Sequence, residues 1–253
     1  CANNATVALT GSVTLATGGQ WTSSGTGTFN PNNTSLNTNS IPSNADTTAG
    51  TVTIYLTTTG NGICSATIDS LVINFNSAPL VVAGGTVSVC KNNPVAVLSG
   101  YSSTGSATWT SLGTGTLSST SVFNPTYTPS TADTTAGSVQ LILTSGNNGN
   151  CNPVSDTVTI VYSSPPTITA GSTQTVCSNN PAVTLSGVSS TSTGTWTTSG
   201  SGSFAPNTIN GTYIPSAADI SAGTVTLTVT STNNGGCNPV TSTVNVSIIP
   251  GPT

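Results

Sequence analysis

The stretch that decides the fold is TVTLTVT at residues 224–230, in which threonines alternate with larger apolar residues. Strict alternation over seven residues is typical of a β-strand with one face buried and the other in solvent. Thr and Val are β-branched, and β-branched residues favour strands over helices. The stretch therefore predicts a half-buried strand that directs Val225, Leu227 and Val229 into a core.

The same pattern occurs twice more, at residues 52–56 and 139–143, and each copy is followed by a second alternating stretch. These second stretches lie at residues 71–75, 158–162 and 244–248. Gly, Pro and Asn clusters punctuate the chain, and no stretch has a helical period. About seven short strands for each copy predict a Greek-key β-sandwich.

Tryptophans mark the period of this repetition, because Trp21, Trp109 and Trp196 are spaced about 87 residues apart. A fixed period of this length indicates an array of like domains. The predicted fold class is therefore all-β, a tandem array of three Ig-like Greek-key sandwiches that forms an elongated rod. The predicted domains are repeat 1 (1–78), repeat 2 (79–165) and repeat 3 (166–253). Five aromatic residues are predicted core anchors: Trp21, Trp109, Trp196, Tyr127 and Tyr213.

Repeat 1 departs from the other two repeats in two places. Ser40 stands where the others have Tyr127 and Tyr213, and repeat 1 lacks the strand that repeat 2 supplies at residues 81–89. A sandwich without that strand has an open edge. We expect preceding chain to fill the edge in the intact protein, since both termini resemble cuts through a longer array. The alternative is that a neighbouring molecule donates the strand and so forms a polymer.

Charged residues make up 2% of the chain, and Lys91 is the only cation. Neutralising phosphates requires Lys and Arg, so nucleic acid is excluded as a partner, and so is a polybasic membrane patch. No apolar stretch is long enough to insert into a membrane.

Six cysteines occupy equivalent positions, which indicates an oxidising, extracellular compartment. We predict intra-repeat disulfides, each closing a loop that stabilises its domain by about 4 kcal/mol. The predicted pairs are Cys1–Cys64, Cys90–Cys151 and Cys177–Cys237. A thiolate metal site is the competing interpretation, but the chain has no His to complete one. An N-terminal Cys could also be a lipid anchor; we interpret Cys1 as the repeat cysteine.

Asp46, Asp133 and Asp219 recur in one loop of each repeat. The favoured interpretation is an Asx turn or a cap over a short turn. A calcium site is the alternative, although each loop offers a single carboxylate and calcium prefers several. No cofactor is predicted. Acid–base catalysis needs a His, a Lys or a paired carboxylate, and the abundant Ser has no base, so the chain is predicted not to be an enzyme.

The motifs at residues 196–204, 213–231 and 234–237 resemble repeats of giant surface proteins of Bacteroidota, the SprB-type gliding-motility adhesins and related PKD/Ig-like repeat proteins. The resemblance implies type IX secretion and a place on the outer surface of a Gram-negative bacterium. It also implies O-glycosylation where Asp precedes Ser or Thr and a suitable residue follows. Four positions fit this pattern: Thr47, Ser70, Thr134 and Thr157.

These observations favour a non-enzymatic adhesin or stalk segment of a large repetitive secreted protein, in gliding motility or surface attachment. Its expected partners are neighbouring repeats, surface polysaccharide or another solid surface, and further copies of the chain in a homopolymer. The first alternative is a structural subunit of an extracellular filament or sheath. The second is a carbohydrate-binding module, which would need exposed aromatic residues in a groove, whereas each Trp fits a core position.

Overall fold

A computed structural model describes residues 1–252 of the chain, and within them strands dominate. The all-β fold class predicted from the sequence is confirmed. Three hydrophobic clusters form separate cores, one from each of the three stretches named above as repeats. The alternating stretch at 224–230 lies in a strand whose Leu227 and Val229 are fully buried, as its pattern predicts.

Repeat 1 has two three-stranded sheets, ordered β2-β5-β6 and β1-β4-β3. Its elements are β1 (Val7–Thr10), β2 (Gly18–Ser23), β3 (Thr28–Asn30), β4 (Asn37–Ile41), α1 (Asn44–Ala49), β5 (Thr51–Thr59) and β6 (Ile68–Asn74).

Repeat 2 has a four-stranded sheet ordered β11-β14-β15-β8, a three-stranded sheet ordered β12-β13-β9, and the small pair β10-β7. Its elements are β7 (Val81–Val82), β8 (Val87–Cys90), β9 (Ala96–Val97), β10 (Tyr101–Ser102), β11 (Ala107–Ser111), β12 (Thr116–Leu117), β13 (Thr126–Thr128), α2 (Thr131–Ala136), β14 (Ser138–Ser145) and β15 (Ser155–Ser163).

Repeat 3 reproduces this arrangement with sheets ordered β17-β24-β23-β20, β18-β22-β21 and β16-β19. Its elements are β16 (Ile168–Thr169), β17 (Gln174–Cys177), β18 (Val183–Thr184), β19 (Val188–Ser189), β20 (Gly194–Thr198), β21 (Ser203–Phe204), β22 (Thr212–Ile214), α3 (Ala217–Ala222), β23 (Thr224–Ser231) and β24 (Thr241–Ile249). Thr253, the last residue of the predicted third domain, lies outside the described residues.

Most strand pairs are antiparallel, but the strand that ends in the first cysteine of a repeat is parallel to the last strand. Thus β8 pairs with β15 so that Cys90 lies beside Ser163, and β17 pairs with β24 so that Cys177 lies beside Ile249. The first cysteine therefore lies at the end of the repeat from which the chain leaves, which we call the trailing end. The loop before the last strand lies at the opposite, leading end.

Three single-turn helices correct the expectation that no stretch is helical. Each has a Ser N-cap, an Asp three residues later that completes a capping box, and a left-handed Gly at its C-terminal end. A helix this short lacks the length over which a 3.6-residue period becomes visible. The cap was the favoured interpretation of the aspartates, and the turns it caps are helical.

Candidate functional site: the junctions between repeats

The disulfides join neighbouring repeats, so the predicted intra-repeat pairing is wrong. Cys1 is bonded to Cys151, with 5.1 Å between their Cα atoms, and Cys90 is bonded to Cys237, with 4.9 Å. Each bond links the first cysteine of one repeat to the second cysteine of the next. The Cys1 sulfur is thus committed to Cys151, which leaves it unavailable for the lipid thioether considered as an alternative.

The parallel strand explains why the predicted pairing cannot form. Cys90 lies at the trailing end beside Ser163, whereas Cys151 precedes Ser155 at the leading end. The nine residues of β15 between these ends span about 30 Å, and a disulfide requires Cα atoms less than about 7 Å apart. Spacing along the sequence does not reveal this direction, because the first strand had to be known to run parallel to the last.

An asparagine clamp accompanies each disulfide. Between repeats 1 and 2, the Asn3 side chain donates to the Asn152 carbonyl at 2.9 Å and accepts from its backbone N–H at 3.1 Å. The Asn152 side chain donates back to the Asn3 carbonyl at 2.9 Å. Asn92 and Asn238 form the same three bonds between repeats 2 and 3, at 3.0, 3.0 and 2.8 Å.

The clamp was missed, although the sequence carries a signal for it. Each first cysteine begins a Cys-x-Asn motif, which ends in Asn3, Asn92 and Asn179. Asn179 is exposed and has no counterpart repeat among residues 1–252 to bind. At each junction the polypeptide linker, the disulfide and the clamp run side by side, an arrangement suited to limiting rotation and bending between neighbours.

Two cysteines stay unpaired within the described part of the chain, Cys64 and Cys177. Cys64 is exposed in the leading-end loop of repeat 1, equivalent to Cys151 and Cys237. Cys177 is half-buried at the trailing end of repeat 3, equivalent to Cys1 and Cys90. The two free thiols are therefore the two complementary halves of one further junction, at opposite ends of the molecule.

The recurring aspartates are buried and bind backbone N–H groups. Asp133 accepts from Thr114 and Gly115 at 3.1 and 2.9 Å, from the Ser130 N–H at 2.9 Å, and from the Tyr127 hydroxyl at 2.9 Å. Burial by itself would raise its pKa, but these bonds to the ionised form outweigh burial and lower the pKa to about 2.

The other two aspartates hold the same place in their repeats. Asp219 binds the Tyr213 hydroxyl at 2.7 Å, and its pKa is also lowered to about 2, because hydrogen bonds outweigh the raising effect of burial. In Asp46 the backbone N–H of Ser43 is the main cause that lowers the pKa. Their oxygens are thus occupied by protein donors, and no group of three or more His, Cys, Asp or Glu occurs in residues 1–252.

The predicted aromatic anchors all lie in the cores, with Trp109, Trp196, Tyr127 and Tyr213 almost fully buried and Trp21 4% exposed. The indole N–H groups of Trp21 and Trp196 donate to the backbone carbonyls of Ser35 and Ile209. The three tryptophans therefore present no ring to stack on a sugar.

The four predicted glycosylation positions divide into two kinds of surface. Ser70 and Thr157 are exposed on the last strands of repeats 1 and 2. Thr47 and Thr134 are half-buried in α1 and α2, where their hydroxyls donate to backbone carbonyls one turn earlier. Glycosylation stays a prediction at all four. None of the helices in residues 1–252 is long and apolar enough to cross a membrane.

No family model matches the chain, and no curated protein matches it. Several solved structures resemble it. Cadherin domains 3–6 of protocadherin gamma B2 share 13% identity at a TM-score of 0.35, over 93% of this chain and 68% of that one. Immunoglobulin domains 1–5 of sidekick-1 share 12% at 0.30, over 97% and 57%. Cadherin domains 1–3 of mouse protocadherin-24 share 12% at 0.36, over 97% and 93%. The likeness is one of tandem β-sandwich architecture only.

Proposed function

We propose that the chain is a non-enzymatic, extracellular stalk or adhesive segment that carries tension along a row of β-sandwich repeats. The observation that supports this most is the pair of disulfides that join each repeat to the next. Disulfides persist in oxidising compartments, which supports an extracellular location. The three-domain division at residues 78/79 and 165/166 is part of the proposal, as is adhesion to polysaccharide or another solid surface.

The disulfides limit how far the chain can lengthen when it is pulled. The shortest covalent route crosses from Cys1 to Cys151, returns along 61 residues to Cys90, crosses to Cys237 and ends 16 residues later. Fully extended, this route spans about 270 Å, whereas the reduced chain spans about 880 Å. A stalk built in this way keeps most of its length in reserve even if its repeats unfold.

Single-molecule stretching between the termini tests this proposal. We expect the oxidised chain to stop near 270 Å and the chain in reductant to extend about threefold further. Oxidised and reduced chains that reach the same length would contradict a tension-bearing role for the disulfides.

The double variant Cys64→Ser/Cys177→Ser is the matched control, since it removes only the free thiols. With the observed pairing its oxidised length stays near 270 Å. With intra-repeat pairing the same variant would lose two of three disulfides and extend to about 670 Å.

The finer assignment rests on the sequence resemblance alone. We propose a SprB-type surface protein of Bacteroidota, exported by type IX secretion to the outer surface, with a role in gliding or attachment and glycans at the Asp-Ser and Asp-Thr positions. An intact mass equal to the bare 24.8 kDa chain would remove the glycans from this proposal.

A filament subunit is the second candidate function, favoured by the free thiols at opposite ends. In it, Cys177 of one copy bonds to Cys64 of the next and Asn179 supplies the clamp. With oxidised glutathione as the oxidant, two thiols become one disulfide, and the glutathione disulfide is reduced to two glutathione thiols.

Two single-thiol variants test this candidate. Cys64→Ser retains Cys177, and Cys177→Ser retains Cys64, so we expect a mixture of the two to give mainly mixed dimers, while the unmodified chain gives a ladder on non-reducing gels. The two variants carry tags of different length so that dimers can be told apart. Equal amounts of mixed and like dimers would count against directed end-to-end assembly.

A further inference from the structure

Repeat 1 contains a groove of about 390 Å³ between its two sheets. Ser12, Val13 and Thr14 form one lip, Asp69 and Leu71 of β6 form the other, and Trp21 and Leu56 lie at its floor. Neither lip has a strand partner on the groove side in the described residues. The groove is thus bounded on both sides by backbone that can accept a strand.

The equivalent position in repeats 2 and 3 is filled. In repeat 2, β7 pairs with β10, and Val81 and Ala83 join the core at 6% and 1% exposure. In repeat 3, β16 pairs with β19, and Ala170 is buried in the same way. The occupant in both cases is an extended segment whose small or β-branched side chains alternate inward.

One side-chain contact fixes the register of that segment. The Ala83 N–H donates to Asp156 Oδ2 at 2.8 Å, while Asp156 Oδ1 accepts from the Thr157 N–H at 2.8 Å. Asp69 occupies the equivalent place in repeat 1, and its Oδ1 accepts from the Ser70 N–H, also at 2.8 Å. Its Oδ2 has no hydrogen-bond partner among residues 1–252 and lies at the groove.

Burial records the cost of the empty position. Leu71 of repeat 1 is 37% exposed, whereas its equivalents Val158 and Val244 are 2% and 6% exposed. Leu56 is half-buried, and its equivalents Leu143 and Val229 are fully buried. Covering these side chains gives a strand a hydrophobic gain in addition to its backbone hydrogen bonds.

We propose that this groove is a binding site for one extended polypeptide strand with the pattern of residues 79–89, PLVVAGGTVSV. The strand's Val and Ala, equivalent to Val81 and Ala83, cover Leu71 and Leu56, and the backbone N–H of that Ala donates to Asp69. The site does not depend on the stalk or filament role, because it follows from the unfilled core of repeat 1.

A synthetic peptide of sequence PLVVAGGTVSV, added to the intact chain, tests the site. We expect saturable binding of one peptide per chain by calorimetry and a change in the methyl NMR signals of Leu56 and Leu71. We expect Asp69→Ala to weaken binding at least tenfold. Asp69→Asn retains a side-chain oxygen as acceptor and should recover part of the affinity.

Asp156→Ala is the matched control, because Asp156 already binds Ala83 of its own chain and should leave peptide affinity unchanged. A peptide with Asp in place of the Val and Ala equivalent to Val81 and Ala83 should not bind. The proposal is overturned if PLVVAGGTVSV fails to bind at millimolar concentration, or if its binding is the same in the Asp69→Ala variant. It is also overturned if the NMR changes lie outside repeat 1.

Discussion

Repeats 1 and 2 are built from the same pattern, yet repeat 2 is closed and repeat 1 is open. The core cluster of repeat 2 has thirteen buried residues, and that of repeat 1 has six. Repeat 2 fills one side with β7 and β8 and its centre with Tyr127, whereas repeat 1 has Ser40 at the tyrosine position. The comparison teaches that the alternating strands define the sandwich, while an additional strand and one aromatic residue complete it.

The buried aspartate shows the same contrast on a smaller scale. Asp133 accepts hydrogen bonds from three backbone N–H groups and the Tyr127 hydroxyl. Asp46 accepts from the N–H groups of Thr26 and Ser43 at 3.0 and 2.9 Å, and Ser40 is too short to replace the tyrosine. The same capping box thus holds more of the structure together in repeat 2 than in repeat 1.

Removing the carboxylate gives the largest expected difference between the repeats. Asp133→Ala leaves the buried donors of repeat 2 unpaired, and we expect it to cost about 4 kcal/mol of unfolding free energy. Asp46→Ala leaves fewer donors unpaired and should cost about 2 kcal/mol. Urea unfolding of each variant, followed by residue-resolved hydrogen exchange, measures both losses. Equal losses would show that Tyr127 does not distinguish the two loops.

Acid should destabilise repeats 2 and 3 through the same groups. The pKa of Asp133 and of Asp219 is about 2 in the folded chain against an ordinary value of 3.8. The stability they contribute is therefore complete above pH 4 and is lost as the pH falls through about 2, by about 2 kcal/mol for each group. Urea unfolding at pH 7, 4 and 2 measures this loss. The double variant Asp133→Asn/Asp219→Asn should flatten the pH dependence, and an unchanged slope would contradict the assignment.

The sequence was informative where a local pattern sufficed. The alternation at 224–230, the tryptophan period and the capping aspartates each follow from neighbouring residues, and the structure places them in strands, cores and caps. The disulfide partners depend on long-range strand direction, which spacing does not contain. The asparagine clamp depends on two repeats meeting, so its Cys-x-Asn motif had no visible partner in the sequence.

Tyr127→Phe isolates the hydroxyl from the rest of the aromatic ring. The ring stays buried, but Asp133 loses a hydrogen bond of 2.9 Å, and we expect a loss of about 1.5 kcal/mol. Because that bond favours the ionised form, the pKa of Asp133 should rise toward its ordinary value. Carbon-13 NMR titration of the carboxyl group measures the shift. Tyr162→Phe is the control, since the buried Tyr162 hydroxyl has no hydrogen-bond partner within the described residues; its removal should leave the Asp133 titration nearly unchanged.

The smallest expected effect concerns a loop at the rim of the groove. Leu15 has a φ of 62° and a fully exposed side chain, whereas the corresponding loop of repeat 2 has Gly105 with a φ of 71°. The left-handed region costs a residue with a Cβ about 1 kcal/mol, and an exposed leucine recovers none of this by burial. Leu15→Gly should therefore stabilise repeat 1 by up to about 1 kcal/mol, less the entropy that glycine adds to the unfolded chain. Urea unfolding measures the change, and Leu15→Ala, which keeps the Cβ, should give no gain. A gain of equal size in both variants would mean that the exposed apolar side chain, and not the backbone conformation, separates this loop from its equivalent in repeat 2.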